Sequence, residues 1–205
     1  MRAGRLLCIG DVHGCAPELE RLLAAVDPGD EDRLVFLGDY VDRGNASAAT
    51  VGLLCAFAES RPRTIFLRGN HEDMLLNALA DPAAMEHWLS NGGVETLLSY
   101  KPVPRHVLAG MTLIQAHRDF SASVPEPHRR FMTGLLRSAE FGDYVFVHAG
   151  LRPGRTLAQQ DPEDLVGLGP HVGCLGVLEK GATQPFEEAA RRQARQLYGD
   201  DYVPA

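Results

Sequence analysis

No stretch of this 205-residue chain is apolar over the length that a helix needs to cross a bilayer. Nor do the four cysteines, Cys8, Cys15, Cys55 and Cys174, show CxxC spacing, which speaks against a thiolate zinc site. Cys8 and Cys55 lie in apolar segments and read as small buried hydrophobes in a reducing cytosol. Positive charge is not in excess either. With 20 Lys and Arg against 27 Asp and Glu, the net charge is −7, where a dedicated nucleic-acid binder would carry basic stripes. The N-terminus enters an apolar strand and then a Gly-Asp motif almost at once, leaving no room for a cleavable signal peptide. Internal repeats and low-complexity segments are absent. What remains is an ordinary globular composition, 45% hydrophobic, long enough to bury a core.

The chain is organised around GDYVDRG, residues 38–44. Two carboxylates (Asp39, Asp42), a guanidinium (Arg43) and two glycines (Gly38, Gly44) share one short turn. It follows the apolar run 34–37, a buried strand whose C-terminal end is where open α/β sheets place ligands. Clustered carboxylates call for a cation and the adjacent arginine for an anion, so metal plus phosphate is the first expectation.

Two further units repeat the pattern. Residues 5–9 predict a strand ending in Gly10-Asp11-Val12-His13-Gly14, then a helix from Pro17 ended by Asp27-Pro28-Gly29. Residues 33–37 predict the second strand, and a helix over about 47–60 follows, capped by Asn45 or Ser47. A third strand over 64–67 leads into Arg68-Gly69-Asn70-His71-Glu72. Three strand–turn–helix units in a row argue for parallel strands with right-handed crossovers. Short helices are expected over 72–79 and 82–89, the second broken by Asn91-Gly92-Gly93, with a helical turn over 94–100. Residues 106–117 read as a hairpin or a loop, 127–136 as a helix, and 144–147 as a fourth strand ending in His148-Ala149-Gly150.

Asp11 and His13, two apart at a strand end, can grip one cation, and Asp39 has two oxygens with which to bridge to a second. Asn70 offers a carbonyl oxygen and His148 an imidazole nitrogen. Such a sulfur-free N/O set suits Mn, Fe or Zn. Two metals roughly 3.5–4 Å apart activate a water and clamp phosphoryl oxygens. His71 is placed as the acid for the leaving group, oriented by Asp42. Arg43 and Arg68 would take the remaining phosphate oxygens as planar forks. Each motif alone has a plainer reading as a turn, a cap or a solvated loop, and only their joint occurrence after apolar strands points to a site. Trp88 reads as a core or lid anchor, His117 and His128 as packing or surface residues, and Arg152 and Arg155 as solvated or phosphate-attracting.

The motifs GDVHG (10–14), GDYVDRG (38–44), RGNHE (68–72) and HAG (148–150) closely resemble those of the PPP-type serine/threonine phosphatases, within the calcineurin-like metallophosphoesterases. Trp88-Leu89, Asn91-Gly92-Gly93, Thr96-Leu97, Ser99-Tyr100 and FVHAGLRPG (146–154) are similar to the bacterial branch. The likeness covers residues 5 to about 165. It implies an α/β fold, a β-sandwich flanked by helices with a two-metal site at one end of the sheets. Asp11, His13 and Asp39 would bind the first metal, and Asp39, Asn70 and His148 the second. Asp42 and His71 would form the acid pair, and Arg43 and Arg68 the phosphate clamp. The implied enzyme is a cytoplasmic metal-dependent phosphomonoesterase, with two divalent ions, Mn foremost, acting by direct attack of a metal-activated hydroxide. Its substrate would be a phosphorylated protein or small phosphoester; nucleic acid and membrane are not expected as partners. His13, where related dinucleoside polyphosphate hydrolases usually have Gln, tilts the reading toward monoesters. The alternatives are a dinucleoside polyphosphate or cyclic-nucleotide hydrolase and an inactive phosphate-binding relative.

The likeness ends after Asp161-Pro162-Glu163-Asp164-Leu165. The family's tryptophan-and-arginine segment, its late VHGHTP-like metal histidine and its closing strand are missing, and a charged run over 186–197 stands in their place. The expected organisation is therefore a metallophosphoesterase domain over 1–165 and a divergent tail over 166–205, with C-terminal strands missing or altered and a sheet edge left unpaired. Either His171 substitutes for the missing ligand, or the chain is a one-metal relative, or the reading frame changes near residue 166.

Overall fold

The computed structural model describes residues 4–152, 155–167 and 177–179. The chain divides into two compact units, Met1–Leu136 and Arg137–Ala205. His171 and the 186–197 run lie outside the described residues.

In the first unit β1 (Leu6–Ile9), β2 (Arg33–Phe36) and β3 (Ile65–Phe66) form a parallel sheet in that order. The register pairs Cys8 with Val35 and Val35 with Ile65. Leu34, Val35 and Phe36 of the central strand are buried, as a strand sandwiched between covering layers requires. The crossovers run through α1 (Ala16–Val26) and α2 (Ser47–Ser60), and α3 (Asn70–Ala80) follows β3. Parallel strands put all three motif turns at one edge. Cys8 departs from expectation: it is exposed, on a strand that is outermost among the described residues.

Helix α2 begins with Ala46 at its cap, and neither Asn45 nor Ser47 caps it. As the first helical residue, Ser47 turns its hydroxyl inward instead, where it accepts the Asp42 N–H at 3.2 Å. Beyond α3, a 3-10 turn (Pro82–Ala84) runs into α4 (Met85–Trp88), a wide turn (Leu89–Gly93) and α5 (Val94–Tyr100). The break falls where the glycines predict it, at Asn91 and Gly92, and Gly92 takes φ +103°, a conformation that other L-residues resist.

Residues 106–117 form neither hairpin nor loop. They lie in α6 (Arg105–Ala109) and α7 (Leu113–Ser123). Thr112 and Gln115 cap α7 reciprocally, with Gln115 N–H donated to Thr112 Oγ1 at 3.2 Å and Thr112 N–H to Gln115 Oε1 at 2.9 Å. This T-x-x-Q box is a readable signal that outweighs the apolar alternation. After α8 (Glu126–Thr133), Leu136 pairs in parallel with Leu67, extending the sheet. The core gathers Phe36, Tyr40, Val51, Leu54, Leu75, Met85, Trp88, Phe120 and Met132. Each fully buried aromatic or aliphatic side chain contributes roughly 1.5–3 kcal/mol. Tyr40 donates its hydroxyl to the Leu67 carbonyl at 2.7 Å, which fixes the central turn over β3.

In the second unit β4 (Ser138–Phe141), β5 (Tyr144–Val147) and β6 (Val177–Glu179) form an antiparallel sheet. The expected fourth strand is thus the middle of a separate sheet. Strand β4 was not foreseen, although the Gly142-Asp143 hairpin turn signals it; Gly142 takes φ +59°. Strand β6 covers the second edge of β5, so the tail does supply a strand. Helix α9 (Pro162–Leu165) follows, in chain order before β6, with Asp161 as its cap. The buried carboxylate of Asp164 lies 2.7 Å from Arg152 Nε, so Arg152 has a partner within its own unit. The mixed α/β class holds. Among the described residues no helix is long and apolar enough to cross a membrane.

Candidate active site

Three backbone segments interlock at the C-terminal edge of the parallel sheet. Val12 and His13 donate their N–H groups to the Asp39 carbonyl at 3.0 and 2.9 Å, and Gly14 donates to Tyr40 at 2.8 Å. Gly44 packs so closely that a Cβ there would sit 2.1 Å from the His13 carbonyl oxygen. His13, Asp39, Asp42 and Arg43 all take φ between 43° and 70°. Left-handed conformations at non-glycine residues cost about 1–3 kcal/mol each and gather at functional sites. Four adjoining cases mark this one.

Glu72, fully buried at the third position of α3, holds the turn together. Its Oε2 accepts the N–H of Asp39 and of Gly69, both at 2.9 Å, and its Oε1 accepts Tyr40 at 2.7 Å and Val41 at 3.3 Å. Burial, and then the Asp39 charge, push its carboxyl up to about 7, while the backbone donors pull the other way. Asp39 in turn accepts the His71 N–H at 3.1 Å. A carboxylate from another segment thereby caps α3 at its positive end.

His13 shows the geometry of a metal ligand. Its Nδ1 lies 2.9 Å from the Val41 carbonyl, which must receive a proton and so fixes the tautomer. The other nitrogen, Nε2, is buried without a hydrogen-bond partner. It points at oxygens instead, 3.7 Å from Asp39 Oδ2 and 3.9 Å from the half-exposed Asp11 Oδ2. A lone pair converging on two carboxylates, with the far N–H held by a carbonyl, is the arrangement that a divalent cation completes. Ligand atoms of His13, Asp39 and His71 also lie within 4.8 Å of one another. The residues present therefore fit a metal.

Asp42 and His71 form a buried pair, Nδ1 to Oδ2 at 2.8 Å. Arg43 NH2 lies 3.1 Å from His71 Nε2. That contact needs a lone pair on Nε2, so an acid role for His71 requires Arg43 to turn toward a phosphate. Arg68 is placed differently: NH1 pairs with Asp73 at 3.1 Å and NH2 donates to the Thr133 carbonyl at 2.8 Å. In this geometry it ties α3 to α8. Asn70 opens α3 beside His71, and His148 follows β5 in the second unit.

Sequence reasoning missed the residues that hold the site. Glu72 was within reach, as an acidic third residue of a helix after a glycine. The Trp88 indole N–H donates to both oxygens of Asp42, at 3.1 and 3.0 Å. Thr96 Oγ1 lies 2.8 Å from Asp42 Oδ1 and accepts the Asp42 N–H at 2.8 Å. Neither carried a local signal. His117 and His128 are structural as expected, contacting the Leu79 carbonyl and the Tyr100 hydroxyl.

The family model for calcineurin-like phosphoesterases matches residues 4–190. Among solved structures, a protein assigned as a diadenosine tetraphosphatase shares 23% identity at a TM-score of 0.53, covering 80% of this chain and 58% of that one. A serine/threonine phosphatase from Saccharomyces cerevisiae, with similarity to human phosphatase PP5, shares 24% at 0.48, covering 79% and 42%. A metallophosphoesterase from Sphaerobacter thermophilus shares 20% at 0.43, covering 73% and 48%. The first likeness shows the fold. The chain spans less than two thirds of the length of each of these structures.

Proposed function

This chain belongs to the calcineurin-like phosphoesterase family, and on that premise we propose that it hydrolyses phosphomonoesters, with serine/threonine phosphoproteins in the cytoplasm as its substrates. The observation that carries the reading is the line of groups from Asp42 through His71 to Arg43, set beside the converging His13, Asp39 and Asp11. Asp11, His13 and Asp39 would hold a first divalent ion, and Asp39, Asn70 and His148 a second, with Mn²⁺ favoured by the N/O donors. When bound, such ions supply a reactive water near neutral pH and neutralise phosphoryl oxygens.

The chain's own residues do the rest. Arg43 turns from His71 to the phosphate as a planar fork, which frees Nε2 to carry a proton. The water oxygen forms the new P–O bond. The old P–O bond breaks with its electron pair going to the leaving oxygen, where His71 Nε2 delivers its proton. Alcohol and inorganic phosphate result, and the proton shed by water restores His71 through solvent. Asp42 holds the imidazole by Nδ1 throughout.

The test is hydrolysis of p-nitrophenyl phosphate with Mn²⁺, beside phosphopeptide and diadenosine tetraphosphate as competing substrates and an Asp39→Asn control. Expected are turnover of the monoesters, a loss of at least a hundredfold in Asp39→Asn, and weaker turnover of the dinucleotide. Preference for the dinucleotide would replace the monoester reading. Folded protein that binds Mn²⁺ yet turns over none of the three would leave a binding protein.

A further inference from the structure

We propose that Trp88 and Thr96 are positioning residues for the acid pair, holding the Asp42 carboxylate in the one orientation that serves His71. The inference rests on the reading of His71 as the leaving-group acid.

Asp42 is fully buried, and among the described residues no lysine or arginine hydrogen-bonds its carboxylate. Its oxygens face three directional donors: the Trp88 indole spread over both, Thr96 Oγ1 on Oδ1, and His71 Nδ1 on Oδ2. Indole N–H can only donate, so this contact fixes an acceptor in place. The ring itself cannot move. It stacks on Phe120 with centroids 4.9 Å apart, and a Cβ on Gly93 would come within 2.4 Å of it.

The same segment grips the backbone. Asp42, at φ +70°, gives its N–H to Thr96 Oγ1, and Arg43, at φ +64°, gives its own to the Gly92 carbonyl at 3.1 Å. Both left-handed residues are therefore held by the stretch from Trp88 to Thr96. A tryptophan serving the core alone would need none of this alignment. Its deletion as a donor leaves Asp42 able to swing, and the cost falls on proton delivery.

Proton delivery matters most for poor leaving groups, which separates positioning from general structural support. The readout is the ratio of kcat/KM for p-nitrophenyl phosphate to that for a phosphoserine peptide, at saturating Mn²⁺. Loss of a general acid costs about 10²–10⁴-fold, so His71→Asn should raise the ratio by roughly a hundredfold or more. Trp88→Phe keeps a stacking ring without the N–H and should raise it about tenfold. Thr96→Val should do the same, whereas Thr96→Ser, which keeps the hydroxyl, should stay within about twofold of the native ratio. The Thr96 pair decides the matter if Trp88→Phe does not fold. A rise in His71→Asn with proportionate losses on both substrates in Trp88→Phe and Thr96→Val would overturn the positioning role. A native ratio in His71→Asn would overturn the acid reading itself, and this inference with it.

Discussion

Replacing Glu72 with glutamine probes the clamp that sets the central turn. Four backbone N–H groups converge on its two oxygens, two on each. In Glu72→Gln an amide nitrogen takes the place of one oxygen, and two N–H groups then face a group that cannot accept. Stranding two buried donors costs about 1–3 kcal/mol each, so roughly 2–6 kcal/mol together. A protonated Glu72 strands fewer, since its hydroxyl oxygen keeps a lone pair for one of its two N–H groups. Against the loss stands the cost of a buried charge. Desolvation first and Asp39 second raise this carboxyl from 4.5 to about 7, and at ~1.4 kcal/mol per unit, ionised Glu72 costs about 3 kcal/mol. A raised folded value means that the stability contributed is fully present below 4.5 and is lost as pH rises through about 7. Glutamine does not titrate. In metal-free protein the variant should therefore be less stable by roughly 1–3 kcal/mol near pH 5, and the gap should shrink toward pH 8.5, read by urea unfolding in EDTA. A gap that stays constant or widens with pH would refute the reasoning.

Two further perturbations test the frame around the site. In Gly69→Ala the new Cβ would sit 2.0 Å from Asp39 Oδ1 and 2.6 Å from its backbone nitrogen, so Asp39 must move. Mn²⁺ affinity measured by titration calorimetry should fall at least tenfold, while Gly110→Ala, whose Cβ would find its nearest atom at 3.5 Å, should bind as the native protein does. At the other end of the sheet, hydrogen bonds from the Arg5 guanidinium and backbone hold the Asp32 carboxyl well below the usual carboxylate range. A depressed folded value contributes stability above 3.8 that drains away as pH falls. Asp32→Asn should thus be less stable at neutral pH and begin to converge with the native protein only below about pH 4, the gap closing as pH falls on toward the depressed folded value, followed through the fluorescence of the one tryptophan.

The strand ends were legible because their chemistry is concentrated: an apolar run, a glycine, then carboxylate or imidazole, three times over. Ser47 to Ser60 and Tyr144 to Val147 could be read to the residue, since apolar periodicity and flanking turn residues agreed. Residues 106–117 could not, because a short apolar alternation resembles a hairpin until the Thr112–Gln115 box is given its weight. The donors around Asp42 were hidden for another reason. Trp88 lies 46 residues along the chain from Asp42, and Thr96 54, and nothing in local sequence says that an indole edge will meet a carboxylate rather than the core alone.

That difference reflects how the site is built. The GDYVDRG turn holds three non-glycine residues in left-handed backbone, Asp39, Asp42 and Arg43, which at about 1–3 kcal/mol each is a conformation the heptapeptide would not keep unaided. Its polar backbone atoms are met from outside: the Asp39 and Tyr40 carbonyls by the 12–14 loop, the Asp39, Tyr40 and Val41 N–H groups by Glu72, Asp42 by Thr96 and Ser47, Arg43 by Gly92. Each of these partners arrives on a different element, and each meets a group that would otherwise be buried without one. The motif names the reacting groups; the rest of the first unit supplies the hydrogen bonds that force them together. A carboxylate-rich turn assembled this way presents converging oxygens before any cation arrives, so the fold rather than the ion bears the cost of bringing like charges close. Removing an outside partner, as Glu72→Gln does, should therefore weaken metal binding without replacing a ligand.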